Sequence, residues 1–138
     1  MPHRVVLDTN VLVAAAYAPR SASRRIVDAC LSGDLVPVAS PAIKREYERI
    51  LARAVRVDDY RDRLAELVDK LELVEPQETP RLVPEDPDDD KFPAAARAGS
   101  AGWIVTNDRH LLALDPYGTI RILPSGRFVE LAWGSERP

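Results

Sequence analysis

Two short apolar runs in this 138-residue chain stop on a polar cluster that holds an aspartate. Val5-Val6-Leu7 leads into Asp8-Thr9-Asn10, and Trp103-Ile104-Val105 leads into Thr106-Asn107-Asp108. In an open parallel sheet, ligands bind outside the carboxyl ends of the strands, so both aspartates are expected at the mouth of the fold. Two further acidic features are candidates to join them: Glu46, and the run Asp88-Asp89-Asp90. Carboxylates converging from distant parts of a chain favour a site for a hard cation with oxygen ligands. No cluster of histidines and cysteines points to zinc.

Each acid also has a plainer reading. Asp8 and Asp108 stand where an N-cap residue would accept orphan N–H groups of a following helix. An acidic run before a helix caps it and complements its dipole, although one aspartate is enough for that. Glu46 could pair with Arg49 or Arg53 on its own helix. Taken singly, the capping reading equals a chemical role at Asp8 and betters it at the acidic run, whereas at Glu46 the site role outweighs the ion pair. The plainer readings do not predict that two strands and two helices would deliver acids to one edge.

The elements that must position these residues follow from pattern. Val5–Leu7 has the composition of a strand buried on both faces, and Val11–Ala18 is a helical run. Ser21 or Ser23 can cap a helix that runs to about Ser32 and is closed by Gly33. Leu35–Ala39 is a second strand candidate. Ser40-Pro41 combines an N-cap serine with a proline in the first turn, and opens a helix to about Val55. On that helix Ile43, Tyr47, Ile50 and Ala54 share one face with Leu51 at its margin, and Glu46 borders the stripe. An unpaired carboxylate at the rim of a buried face is costly, which is why Glu46 and not Glu48 draws attention.

Asp58-Asp59 opens a further helix with Tyr60, Leu64, Leu67, Val68 and Leu71 on its apolar face. Residues 75–87 hold four prolines and read as a connector, with a short extended piece at Arg81-Leu82-Val83. The triple aspartate then leads into an alanine-rich helix ending near Gly99, with its start near Asp89 or Asp90 and Pro93 in the first turn. Trp103–Thr106 is a strand, Asp108–Leu114 a helix, Thr119–Leu123 a last strand, and a short amphipathic helix follows Pro124-Ser125. Strands alternating with helices argue for a parallel sheet covered on both faces, in one domain spanning residues 1–138.

Composition narrows the class. Charged and apolar fractions are near globular averages, and no apolar run is long enough for a membrane span. The net charge of −3 does not advertise a nucleic-acid binder, but bound cations would alter the local balance. Cys30, the single cysteine, lies at helical spacing with Ile26, Val27 and Leu31 and reads as a core thiol. Asp8 interrupts the only stretch resembling a leader, so a cytoplasmic location is expected.

In this order and at these separations, the motifs resemble the PIN domain. They are Asp8-Thr9-Asn10 after a first strand, Ser40-Pro41 leading to Glu46, Asp88-Asp89-Asp90 before an alanine-rich helix, and Thr106-Asn107-Asp108 after a late strand. The likeness extends to Arg121-Ile122-Leu123-Pro124 and Phe128, and is nearest to the VapC-like ribonuclease toxins of toxin–antitoxin systems. It implies a three-layer α/β/α sandwich with a central parallel sheet, and an endoribonuclease dependent on Mg²⁺ or Mn²⁺. It carries an acidic quartet onto Asp8, Glu46, Asp90 and Asp108, with Asn10 and Thr106 as supporting polar residues. Register alone selects Asp90 over Asp88 or Asp89. Pro93 and His110 depart from the family pattern, which has an aliphatic and a further acidic residue there.

The resemblance also implies an RNA substrate, a cognate antitoxin protein and a homodimer, with no membrane. Backbone contacts to RNA are expected from Arg24, Arg25, Lys44, Arg45 and Arg109, although a solvated surface charge is the commoner fate of any one of them. The alternative is a non-catalytic PIN-like module that binds RNA or protein. A phosphotransfer receiver domain fits less well, because Val38-Ala39-Ser40 offers no acceptor aspartate at a middle strand.

Overall fold

The structure is a computed structural model that describes residues 2–133, so Met1 and residues 134–138 lie outside the described residues. The central strand is β1 (His3–Leu7), in a sheet ordered β3-β2-β1-β4-β5. Its neighbours are β2 (Leu35–Ala39) and β4 (Trp103–Val105); β3 (Glu72–Leu73) and β5 (Arg121–Leu123) form the edges. Every pairing is parallel. Val5, Val6 and Leu7 are all buried, as a strand covered on both faces requires. Helices cover that sheet to make the expected α/β/α sandwich: α1 (Thr9–Tyr17), α2 (Ala22–Ser32), α3 (Pro41–Ala54), α4 (Asp58–Lys70), α5 (Lys91–Ala98), α6 (Arg109–Leu112) and α7 (Ser125–Trp133).

Local signals set most boundaries. Ser21 is the N-cap of α2, accepting from the Arg24 N–H at 3.1 Å, and Gly33 closes that helix in the left-handed region at φ 90°. Ser23 instead pairs its hydroxyl with that of Ser125 at 2.8 Å. Ser40 caps α3 and Pro41 sits in its first turn. Cys30 is buried in the core, and desolvation pushes its thiol up to about 12.

Some details depart from expectation. Strand β3 has two exposed residues, pairs with Val38 and Ala39 through the backbone, and is tied to β1 by the ion pair of Glu72 with Arg4. Arg81-Leu82-Val83 forms no strand. On α3 the buried stripe is Ile43, Tyr47 and Leu51, with Ile50 half-buried, so the face is turned slightly from the expected one. The triple aspartate is wound into a 3₁₀ turn over Pro87–Asp90, and α5 begins only at Lys91.

The fold positions the acids through its strand order. Chain progression leaves β1 in one direction to β2 and returns on the other side at β4, so the crevice beside the C-terminal ends of β1 and β4 is the topological switch point. The ladder runs one residue past β1, with the Asp8 N–H donating to the Val105 carbonyl at 2.9 Å. Tyr47, fully buried on α3, donates its hydroxyl to the Leu7 carbonyl at 2.6 Å and pins the helix bearing Glu46 to the strand end bearing Asp8. Tyr47→Phe strands that carbonyl in a buried setting, and urea melts are expected to show a loss of about 1–2 kcal/mol.

Candidate functional site

At the end of β1, Asp8 is 9% exposed and uses both carboxylate oxygens. Oδ1 accepts from the Asn10 N–H at 3.3 Å, which caps α1, and Oδ2 accepts from the Thr106 hydroxyl at 2.6 Å. Thr106 is completely buried at the end of β4, and its Oγ1 also accepts from the Asp108 N–H at 2.9 Å. Asp108 in turn caps α6, its Oδ1 accepting from His110 N at 2.8 Å and Leu111 N at 3.3 Å. One threonine thus couples the two strand-end aspartates. Capping and a shared site are not alternatives here, since each cap engages one oxygen of its aspartate.

Glu46 arrives from α3 beside them. The Thr9 hydroxyl donates to its Oε2, and its Oε1 lies 2.8 Å from the Lys91 ammonium. The chain therefore brings Asp8, Glu46 and Asp108 to one corner of the sheet. Asn10, in contrast, is exposed and contributes its backbone N–H.

Within the triple aspartate the structure separates the three residues. Asp90 is 4% exposed, and its Oδ1 accepts from the backbone N–H groups of Leu82 at 3.0 Å and Val83 at 2.9 Å. It ties the proline-rich connector to the start of α5. Asp88 is largely exposed and pairs with Lys91 at 2.5 Å. Asp89 is the one that faces the other acids: its Oδ2 is buried with no hydrogen-bond partner. Burial, together with repulsion from Asp86, Asp108 and Asp8, lifts its carboxyl from 3.8 to about 7. The sequence offers Asp89 only as one of three, and register on an α-helix favours its neighbour.

Asp8 is raised too, chiefly by burial, with Asp108 and Glu46 adding repulsion and the bonds from Thr106 and Asn10 opposing it. A corner in which two carboxyls resist ionisation is short of positive charge. A raised carboxyl stabilises the fold below its unfolded pKa, and that stability is lost as pH rises through the folded value. In a chelating buffer the melting temperature should therefore fall as pH rises from about 5 to 8, past the ordinary aspartate range and through the Asp89 value near 7. Asp89→Asn should flatten the profile, and an unchanged slope in that variant would remove Asp89 from the cause.

Among the described residues, no group of three or more His, Cys, Asp or Glu side chains is set as a ready-made metal cluster. Lys91 and Thr9 engage both oxygens of Glu46. The donor set still fits a hard divalent cation: the oxygens are carboxylate, one is buried and unpartnered, and the acids repel one another.

The expected RNA-contacting cations have varied placements. Arg24 donates Nε to the Ala15 carbonyl at 2.6 Å and Nη2 to that of Ala16 at 3.2 Å, and stacks on Tyr60. It closes the end of α1. Arg25 lies over the Trp133 ring, with Cζ 5.7 Å from its centroid. Lys44 is half-buried, while Arg45 and Arg109 are exposed. His110 is half-exposed, with Nδ1 3.6 Å from Glu85.

Residues 4–110 match the model of a family described as the PIN domain. The chain belongs to the PIN domain family. No curated protein matches it. Among solved structures, this PIN domain is similar to VapBC2 from Rickettsia felis bound to a DNA fragment from their promoter. That likeness has a TM-score of 0.57 and 14% identity, over 86% of this chain and 96% of that one. It is also similar to PAE2754 from Pyrobaculum aerophilum, with a TM-score of 0.55 and 17% identity, over 95% and 90%. At these identities the structural likeness speaks to the fold, which is the sandwich expected.

Proposed function

We propose that this PIN domain is a divalent-metal-dependent endoribonuclease and the toxin of a toxin–antitoxin pair. Support comes from family membership, from the likeness to a structure described as VapBC2, and above all from one observation: the unpartnered, buried Asp89 oxygen beside Asp8 and Asp108 at the switch point. Asp8, Glu46, Asp89 and Asp108 would hold Mg²⁺ or Mn²⁺, with Asp90 bracing the loop that presents Asp89. Such an ion, when bound, activates water and neutralises charge on the phosphoryl oxygens. Thr106 keeps Asp8 and Asp108 in register, and Thr9 orients Glu46.

The proposed partners are an RNA substrate, a small antitoxin protein and a second copy of the chain, in the cytoplasm. Lys44, Arg45 and Arg109 remain available for the RNA backbone, while Arg24 is engaged within the fold. Among the described residues no helix is long and apolar enough to cross a membrane. The test is cleavage of RNA by purified protein with added Mn²⁺ or Mg²⁺. Cleavage should be lost on chelation and recovered when the ion is restored; cleavage indifferent to EDTA would overturn metal dependence.

A further inference from the structure

Lys91 is a cation at the acidic corner that the catalytic reading does not use. It is the first residue of α5, and its side chain is only 13% exposed. Its ammonium lies 2.8 Å from Glu46 Oε1 and 2.5 Å from Asp88 Oδ2, and donates to the Asp88 carbonyl at 3.2 Å. A lysine of this length normally reaches water with its charged end. A cation in the first turn of a helix opposes the dipole, and the local contacts with Asp88 explain only part of the placement, because Glu46 lies on α3. Its charged partners are Glu46 and Asp88, and its field also acts on Asp89, which Asp8 and Asp108 repel.

We infer that Lys91 is a built-in counter-cation: its ammonium holds Glu46 while no divalent ion is bound, and must release Glu46 before that carboxylate becomes a ligand. The inference rests on the metal-site reading above. Lys91 then has two consequences. It lets the acidic corner fold without an ion, and it weakens ion binding by competing for Glu46 and by repelling a second cation.

The test uses the full chain, with Mn²⁺ alone as probe, in Lys91→Met and in Lys91→Gln, which keeps a hydrogen-bond donor but removes the charge. By calorimetry both variants should bind Mn²⁺ roughly tenfold or more tightly than wild type, as expected for removing a like charge a few ångströms away. Both should melt lower in chelator and gain more from Mn²⁺. A variant that folds only with Mn²⁺ present supports the same conclusion. If wild type binds Mn²⁺ and the variants bind equally or more weakly, Lys91 is a structural pin between α3 and α5, and the counter-cation is overturned. Restoration of wild-type melting and affinity by Lys91→Gln would overturn it too. Absence of Mn²⁺ binding in wild type and both variants overturns the metal-site reading and this inference together.

Discussion

Asp8→Asn is expected to lower RNA cleavage roughly 1,000-fold while leaving the fold in place, the loss being several kcal/mol of transition-state stabilisation by a bound ion. The substitution keeps the size and shape of the side chain at a nearly closed position. Its amide oxygen still accepts from the Asn10 N–H to cap α1, while the amide nitrogen donates to the spare lone pair of the Thr106 hydroxyl, whose own O–H loses Asp8 as its acceptor. Burial already disfavours the Asp8 carboxylate, so a neutral group there relieves repulsion from Asp108 and Glu46. Melting in chelator at pH 8 should stay close to wild type, the relief of repulsion offsetting the lost Thr106 donation, and the ion-induced rise in melting temperature should shrink. Equal cleavage by variant and wild type would mean that the activity belongs to a contaminant and that Asp8 is only a cap.

The contrast between activity and stability follows from how the corner is built, and most of that plan is legible in the sequence. Strand ends are readable because a β-branched apolar run that stops on Asp-Thr-Asn or Thr-Asn-Asp fits neither the helical period nor a solvated loop. Ser40-Pro41 announces the helix carrying Glu46 with equal clarity, since cap and first-turn proline act through local geometry. Strand β3 is not legible: Glu72 and Leu73 are exposed, and the strand is held by backbone pairing with β2 and by the Glu72 ion pair to Arg4 of β1, neither of which leaves a local side-chain pattern. Arg24 reads as a surface cation because its true partners, the carbonyls ending α1, become neighbours only after α1 and α2 pack together. Lys91 escapes notice for a similar reason. Its contact with Asp88 is local, but its second partner, Glu46, lies on another helix and becomes a neighbour only in the folded chain.

The triple aspartate shows how far register can be trusted. In a 3₁₀ turn there are 3.0 residues per turn against 3.6 in an α-helix, so the direction of each side chain over Pro87–Asp90 differs from an α-helical projection. That difference turns Asp90 toward the connector and leaves Asp89 facing Asp8 and Asp108. The two neighbours should then fail in opposite ways. Asp90→Ala leaves the buried Val83 N–H and the partly buried Leu82 N–H without their acceptor; a stability loss of about 2–4 kcal/mol is expected. For a chain of this size the melting temperature should drop on the order of 10 °C. Asp90→Asn keeps an acceptor oxygen for both N–H groups and should retain most stability, with cleavage within a few-fold of wild type.

Asp89→Asn reverses the pattern. Removing a carboxyl that burial and three neighbouring aspartates hold near neutral pH should raise the melting temperature in chelator at pH 8. The same change takes away the carboxylate proposed to complete the ion site, and cleavage should fall at least about 100-fold. Melting curves and cleavage rates for the three variants settle which aspartate does which task. Abolished cleavage in a fully stable Asp90→Asn, beside an active Asp89→Asn, would return the ligand role to Asp90. The buried Asp89 oxygen would then be a carboxylic acid kept neutral by its surroundings, and the cation would have to reach this corner from the side of the connector.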